Sequence, residues 1–319
     1  MNGERPTIAA VIPTRDRSAM ALRALRSVLS QTLLPDELVV VDDGSSVPVT
    51  LPSDVREQDR VPVRLVRLDG AGPGAARNAG VAETSATLVA FLDDDDTWRP
   101  EKLERQAALL RTSPGSVAGV ECGFDLWDDG RLVLRYVPAE HRDLYRTLLE
   151  RPVLQPSTVL VRRAVLDDLG GFNPSLRRIE DWDLWLRLSE RYTIAVLPEV
   201  LVDREHADVD PKLMLDSYRT AVELFETRIH ALPHRERRRI EAVHSFMTGV
   251  LALDAGDARR ARRELLAALR AKPSWPRPAA HLLRATVGDH VWHGARHVAL
   301  AGRAAVLRAA GRDPSVRHW

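Results

Sequence analysis

The chain has 319 residues, a formal net charge of +1 and one cysteine. That length suits one large domain or two ordinary ones. A single cysteine, Cys122, excludes an internal disulfide and a multi-cysteine metal site, which favours a reducing compartment. The first residues lack the pattern of a secretory signal, and no apolar run reaches the ~18 residues that a membrane-spanning helix needs. We therefore expect a cytoplasmic protein without a transmembrane helix.

The two parts of the chain carry opposite net charge. Residues 1–210 hold 26 basic and 35 acidic side chains, whereas residues 211–319 hold 20 basic and 10 acidic ones. This asymmetry indicates two parts with different tasks, and the basic part could face phosphate-bearing surfaces. The excess of arginine, 43 against three lysines, is a compositional bias typical of a GC-rich bacterial genome, so we do not expect nucleic-acid binding.

Residues 1–92 predict short buried strands that alternate with helices. The strands are predicted at 7–12, 38–41, 61–68 and 87–92, and the helices at 18–31 and 75–83. This alternation favours an α/β fold with a mostly parallel sheet and helices on both faces. Ligands bind at the carboxyl ends of the strands in such sheets. The loops 13–17, 42–46 and 93–98 should therefore lie at one edge and form a pocket.

Four consecutive carboxylates follow the fourth predicted strand. They are Asp93, Asp94, Asp95 and Asp96. Like charges this close disfavour joint ionisation unless a cation lies among them. Mg²⁺ or Mn²⁺ binds one or two carboxylates together with phosphate oxygens and waters, so the run suits a metal-bound diphosphate. A solvated acidic turn that caps the next helix is the alternative.

Two further side chains stand where a nucleobase could be recognised. Asp43, at a strand end, is placed to accept a hydrogen bond from a base N–H. Arg77, at the start of a helix, is placed to meet a base carbonyl or a phosphate. The alternatives are a turn carboxylate that bonds its own backbone for Asp43 and a surface ion pair for Arg77.

These motifs resemble the family 2 glycosyltransferases, which are inverting enzymes of the Rossmann-like GT-A fold. The resemblance covers about the first 205 residues and rests on Pro13-Thr14, VVVDDGSS at 39–46, GPGAARNAG at 72–80 and FLDDDDTW at 91–98. It implies that Asp43 and Arg77 hold the nucleobase. It further implies that Asp93 or Asp94 meets the ribose and that Asp95 ligates Mn²⁺ or Mg²⁺ on the diphosphate.

The same resemblance adds Pro13, Thr14, Arg15 and Gly74 to the predicted donor site. The family often has Tyr-Asn after Pro-Thr, where this chain has Arg15-Asp16. An aromatic stack on the base is therefore missing, which leaves the identity of the base open.

A second motif, GGFNPSLRRIEDWDLWLRL at 170–188, again resembles the family. Taken alone, Asp181 at the start of a helix would be a capping residue. The resemblance implies instead that Asp181 is the catalytic base, which takes the proton of the acceptor hydroxyl late in its attack. Glu180 is predicted on the acceptor side, and Trp182 is either a platform for the acceptor sugar or a core residue. His206 is a candidate metal ligand, with a solvated histidine as the alternative.

From about residue 211 the pattern changes to helices rich in Ala, Leu and Arg. We therefore predict a GT-A domain at 1–210 and a helical region at 211–319. Residues 242–283 resemble a tetratricopeptide-type hairpin, with Gly256-Asp257 in its turn and Pro273 after its second helix. The basic amphipathic pattern at 291–310 favours either peripheral contact with an anionic membrane surface or ordinary packing of a terminal helix.

The predicted function is inverting transfer of a sugar from a nucleoside diphosphate sugar, expected to be UDP-linked, to a hydroxyl. The predicted acceptor is a saccharide or a lipid-linked molecule, in polysaccharide or cell-envelope biosynthesis. One alternative is a sugar nucleotidyltransferase, which would need a glycine-rich amino-terminal loop that the segment 13–17 lacks. The other is a non-catalytic protein that binds nucleotide sugars or acts as a scaffold through its helical region.

Overall fold

The structure is a computed structural model that describes residues 5–139, 143–206 and 209–287. These residues fall into two compact units. The first contains the described residues up to Leu148 and those from Pro152 to residue 206. The second contains Leu149–Arg151 and the described residues from 209 onward. The amphipathic pattern predicted at 291–310 lies outside the described residues.

The first unit is built around one sheet. Its strands are β1 (Ile8–Thr14), β2 (Glu37–Asp42), β3 (Val63–Arg67), β4 (Leu88–Phe91), β5 (Thr97–Trp98), β6 (Val117–Asp128), β7 (Arg131–Tyr136), β8 (Val159–Arg162) and β9 (Thr193–Glu205). Within the described residues the order is β3-β2-β1-β4-β8-β6-β9-β5, with β7 paired to β6. Of the strands in the described residues, β5, β7 and β8 run antiparallel to β1, β2, β3, β4, β6 and β9. The predicted α/β fold with a mostly parallel sheet is confirmed.

Helices cover both faces of this sheet. In chain order the helices are α1 (Ser18–Leu29), α2 (Ser53–Arg56), α3 (Pro73–Ala82), α4 (Lys102–Thr112), α5 (Leu144–Glu150), α6 (Arg163–Leu169) and α7 (Glu180–Ser189). Side chains of a strand alternate between the two faces. Leu38 and Val40 of β2 accordingly lie in the same buried cluster as residues of α1 and α4, whereas Val39 and Val41 cluster with Ala76 of α3.

The loops that follow β1, β2 and β4 lie at one edge, as predicted, because β1 pairs in parallel with both β2 and β4. Pro13 is buried at the end of β1 beside Val41 of β2. The backbone N–H of Asp43 still donates to the carbonyl of Thr14, at 2.8 Å. The backbone hydrogen bonds between β1 and β2 therefore continue up to Thr14 and Asp43, two residues of the predicted donor site.

Two features of this unit are absent from the sequence predictions. A short 3-10 helix, Pro156–Thr158, precedes β8. The strands β8 and β6 then separate β4 from β9 in the sheet, and β5 pairs with β9. The acidic loop after β4 therefore lies beside residues that are more than 100 positions away in sequence, including Asp203 opposite Thr97.

The second unit is helical in its described part, with α8 (Pro211–His230), α9 (His234–Asp254), α10 (Ala258–Ala271) and α11 (Pro276–Val287). Gly256, in the turn between α9 and α10, has a φ of +79°, which favours glycine. A Cβ on Gly249 would lie 2.8 Å from Cγ of Leu265, so this glycine allows α9 and α10 to approach closely. None of the described helices is both long and apolar enough to cross a membrane.

A buried histidine anchors α9 within this unit. His244 Nε2 lies 2.8 Å from the carbonyl oxygen of Leu149 and must donate to it. Its Nδ1 then accepts from the hydroxyl of Tyr218, at 2.8 Å. Burial lowers the pKa of His244 to about 4, so the ring is neutral at pH 7.

Candidate active site

Asp94 and Asp95 share one guanidinium. Nη1 of Arg17 lies 3.2 Å from Oδ1 of Asp94 and 2.8 Å from Oδ2 of Asp95. The hydroxyl of Thr14 donates to Oδ2 of Asp94 at 2.7 Å, and Arg23 donates to the backbone carbonyl of Asp95 at 2.6 Å. Burial raises the pKa of Asp94 to about 6 against the opposing effect of Thr14 and Arg17. Thr14, a predicted donor-site residue, therefore contacts the acidic loop directly.

Asp96 is the most buried member of the acidic loop. Nε of Arg204, in β9, lies 3.3 Å from its Oδ2, while its Oδ1 has no hydrogen-bond partner among the described residues. Burial raises the pKa of this carboxyl. The 3-10 helix holds the loop in place, because the backbone N–H of Asp93 donates to the hydroxyl of Ser157 and the indole of Trp98 donates to the Ser157 carbonyl.

The acidic loop fits a hard divalent cation. No three acidic, histidine or cysteine side chains in the described parts of the chain are grouped to hold a metal ion by themselves. Mg²⁺ or Mn²⁺ on a diphosphate needs only one or two carboxylates besides phosphate oxygens and waters. The loop supplies oxygen donors alone, and Oδ1 of Asp96 lacks a partner among the described residues. A bound cation would also favour ionisation of Asp94 and Asp96, whose pKa values burial raises.

His206 follows the end of β9, near this loop. Its neighbours show the proximity, since Arg204 pairs with Asp96 and Glu205 lies 3.7 Å from Nη1 of Arg23. The backbone N–H of His206 donates to a carbonyl of β6 at 2.7 Å, which fixes the chain direction at this point. Metal ligation by its imidazole remains a prediction.

Asp43 holds the glycine-rich turn before α3. Its Oδ1 accepts from the backbone N–H of Ala71 at 2.7 Å, and its Oδ2 accepts from that of Gly72 at 2.9 Å. The alternative of a carboxylate that bonds its own turn is wrong, because these bonds join two separate loops. Arg15 is exposed and lies against the same turn at Gly70. Each oxygen of Asp43 keeps a further lone pair, so recognition of a base N–H stays a prediction.

Arg77 joins the acidic loop to the second motif. Its Nη2 lies 2.6 Å from Oδ1 of Asp93, and its Nη1 lies 2.5 Å from Oε1 of Glu180. The side chain is 6% exposed, and its guanidinium carbon lies 5.3 Å from the ring centre of Phe172. The alternative of a surface ion pair is therefore wrong. Although burial opposes it, Asp93 and Glu180 raise the pKa of Arg77.

Glu180 and Asp181 begin α7. Glu180 packs against Gly74, where an added Cβ would lie 3.2 Å from the Glu180 Cγ. Oδ1 of Asp181 accepts from the backbone N–H of Trp182 at 2.9 Å. Burial raises the pKa of Asp181, Glu180 raises it further, and Arg77 lowers it. A carboxylate whose pKa is shifted towards neutrality is suited to accept a proton at physiological pH.

Trp182 belongs to the core. Its side chain has no exposed surface, and its indole N–H donates to the carbonyl of Leu148 at 2.6 Å. A fully buried ring cannot stack on a sugar. Trp182 is therefore a core residue and does not form the predicted platform for the acceptor sugar.

Asn78, which the sequence analysis did not single out, clamps α3 to the turn before α7. Its Nδ2 donates to the carbonyl of Phe172 at 2.8 Å, and the N–H of Phe172 donates back to its Oδ1 at 2.9 Å. The only signal for Asn78 in the sequence is its place in the glycine-rich motif. Arg17 lies in the loop 13–17, which was predicted to share an edge with the acidic loop, although its pairing was not predicted. Arg204 and Ser157 gave no signal, because strand order alone brings them to the acidic loop.

Comparison with known proteins identifies the family. The sequence matches the family described as Glycosyl transferase family 2 over residues 9–170, about half of the chain. The chain belongs to glycosyltransferase family 2. One relative of this glycosyltransferase, the uncharacterized glycosyltransferase YwdF of Bacillus subtilis, is 30% identical over 194 residues, which cover 60% of this chain and 71% of YwdF.

Two solved structures share the fold of this glycosyltransferase. S. aureus TarS 1-349 in complex with UDP has a TM-score of 0.58 at 21% identity, with 84% of this chain and 81% of that one covered. The mannosyltransferase PcManGT from Pyrobaculum calidifontis, in complex with GDP-Man and Mn²⁺, has a TM-score of 0.54 at 18% identity. The alignment covers 96% of this chain and 81% of PcManGT. The predicted fold class is thereby confirmed.

The family match does not include the second motif, residues 170–188, beyond its first residue. Glu180 and Asp181 lie beyond residue 170, where the family match ends. Their link to the matched region is the contact of Glu180 with Arg77. The match to Glycosyl transferase family 2 supports a sugar-transferring enzyme over both alternatives, a sugar nucleotidyltransferase and a non-catalytic protein.

Proposed function

We propose that this protein transfers a sugar, with inversion, from a nucleoside diphosphate sugar to a hydroxyl of a saccharide or lipid-linked acceptor. The observation that carries the proposal is the bridge made by Arg77, which contacts the acidic loop through Asp93 and the second motif through Glu180. One guanidinium thus links the acidic loop, which we propose binds the diphosphate, to Glu180, whose neighbour Asp181 is a carboxyl of raised pKa. The UDP and GDP-Man complexes of the structural neighbours support a nucleotide donor, and we propose UDP.

The donor side consists of the loops at the carboxyl ends of β1, β2 and β4. Asp43 would accept from the base, and Asp93 or Asp94 would meet the ribose. Asp95, with His206 as a second candidate, would hold Mn²⁺ or Mg²⁺. When bound, the metal neutralises charge on the leaving diphosphate as a Lewis acid.

Arg77 takes a different role from the one expected. Both of its terminal nitrogens already contact carboxylates, at 2.5 and 2.6 Å. We therefore assign it to position Asp93 and Glu180 and not to contact the base. Its positive charge also keeps the pKa of the nearby Asp181 lower than burial alone would make it.

The acceptor side is defined by Asp181. We propose that it accepts the proton of the attacking hydroxyl, which becomes acidic only as the new bond forms. Attack on the face opposite the leaving diphosphate inverts the anomeric centre. Glu180, held by Arg77, raises the pKa of Asp181 towards the range in which a base works at neutral pH.

Replacement of Asp181 by Asn tests this role. The amide oxygen can still accept from the N–H of Trp182, but it cannot take a proton. We expect UDP affinity and thermal stability to change little, while the rate of sugar transfer from UDP-sugars falls by about 10²- to 10⁴-fold. In the wild type the rate should fall towards acid pH with an apparent pKa well above the ordinary ~3.9 of aspartate, because the raised pKa of Asp181 leaves it protonated there.

Asp183→Asn is the matched control. Asp183 lies on the same helix but pairs with Arg187 at 2.9 Å, away from the base. Loss of this ion pair should lower the free energy of unfolding. The transfer rate of the folded protein, and the pH at which that rate falls in acid, should both stay unchanged. Near wild-type transfer by Asp181→Asn, or loss of transfer in Asp183→Asn alone, would refute Asp181 as the base.

A further inference from the structure

Among the described residues, three arginines pair with carboxylates of the acidic loop, and they differ in how firmly they are held. The side chains of Arg77 and Arg204 are 6% and 22% exposed, whereas that of Arg17 is 43% exposed. Arg77 is also fixed by Glu180, and Arg204 lies over the ring of Phe124 at 5.0 Å. Arg17 has contacts with the acidic loop and sits in the loop after β1. It is the arginine that can leave the carboxylates at the lowest cost.

Arg17 contacts the carboxylates that a metal ion bound to Asp95 would need. Its Nη1 lies between a carboxylate oxygen of Asp94 and one of Asp95, the predicted ligand. A divalent cation on Asp95 would put two positive groups beside the same carboxylates. Like charges repel at this range, so metal and guanidinium compete. A guanidinium that leaves a carboxylate can bind phosphate oxygens instead, through one or two N–H···O bonds.

We propose that Arg17 is an exchangeable counter-ion of the metal site. In the absence of donor it holds Asp94 and Asp95, and it moves to the donor diphosphate when that anion arrives, which frees the carboxylates for the metal. This inference rests on the proposed function, because the diphosphate and the metal belong to it. Metal alone then binds weakly, and metal and nucleotide strengthen each other's binding by the same factor.

The experiment measures Mn²⁺ binding to the full chain by electron paramagnetic resonance, with and without UDP. Arg17→Gln removes the competing charge and keeps a polar side chain. We expect its Kd for Mn²⁺ alone to fall about fivefold, within the range of ordinary site-to-site coupling. The factor by which UDP improves Mn²⁺ binding should shrink by a similar amount, because the variant no longer exchanges partners.

Arg23→Gln is the control for simple electrostatics. Arg23 carries the same charge and also contacts Asp95, but through the backbone carbonyl and not the carboxylate. It should change the Mn²⁺ affinity far less than Arg17→Gln does. Equal gains in both variants, or no gain in Arg17→Gln, would overturn the exchange.

Turnover separates this inference from the proposed function. Wild-type protein that transfers sugar with Mn²⁺, together with an Arg17→Gln variant of unchanged Mn²⁺ affinity, would refute the counter-ion role and leave the function in place. A wild type that transfers no sugar from any nucleotide sugar refutes the function. The Mn²⁺ titrations then still decide whether Arg17 competes for the carboxylates.

Discussion

Replacement of Arg77 by Met tests whether its guanidinium holds two motifs together or is available to a nucleobase. Met keeps much of the apolar length of the side chain and removes its charge. The change would leave Glu180, 6% exposed, and Asp93, 23% exposed, without their shared counter-ion. Removing one partner of a buried ion pair costs ~3–5 kcal/mol, because the other charge stays buried. Since Asp93 is partly solvated, we expect the lower end, a loss of ~3 kcal/mol.

The free energy of unfolding in urea at pH 7 measures this cost. The double variant with Glu180→Gln should recover part of the loss, as contacting residues couple by ~0.5–3 kcal/mol. Arg77 lowers the pKa of Asp181. Loss of its positive charge should therefore raise that pKa, so that the transfer rate begins to fall at a higher pH as the solution is acidified. If Arg77→Met lowers the free energy of unfolding by less than ~1 kcal/mol and also weakens UDP binding, the bridging role is refuted and Arg77 is assigned to the nucleobase instead.

Two further predictions concern the donor loop and the helical unit. Asp95→Ala should abolish Mn²⁺-dependent binding of UDP in calorimetry with little change in Tm, since the side chain lies in a loop; unchanged affinity would remove Asp95 from the metal site. The pKa of His244 is lowered to about 4 in the folded protein. As the pH falls, the unfolded chain, in which the histidine has its ordinary pKa, therefore binds a proton before the folded chain does. Between pH 7 and pH 5 the free energy of unfolding of the second unit should fall by ~2 kcal/mol. His244→Gln, which keeps a donor and an acceptor, should lose that pH dependence, whereas an unchanged slope would assign it to other groups.

Local patterns were sufficient to predict most of the first unit. The buried runs that became β1, β2 and β4 are apolar and short, and the helix predicted at 75–83 is α3, which begins two residues earlier, at Pro73 after Gly72. Gly72 adopts a φ of +99°, a conformation that a side chain would strain. Since parallel neighbours end at the same edge, the placing of the acidic loop beside Thr14 followed from the same patterns.

Partners of buried charges could not be predicted in this way. Arg77 and Glu180 are 103 positions apart, and their contact depends on how α7 packs against α3. The burial of Trp182, whose indole N–H donates to the carbonyl of Leu148, could not be predicted either, since its position at the start of an amphipathic helix fits both a core residue and an exposed platform. Local periodicity reports which side of an element is apolar and not what lies opposite it.

A graft that replaces residues 72–80 with the segment of a relative would have to replace residues 170–188 as well. Asn78 and Phe172 exchange two hydrogen bonds, and Gly74 leaves no room for a Cβ without movement of its neighbours, which include Glu180. A chimaera that takes residues 170–188 from one protein and residues 72–80 from another would have to match all these contacts at once. Residues 72–80 and 170–188 therefore have to change together, because a replacement in either segment alone would disturb its contacts with the other.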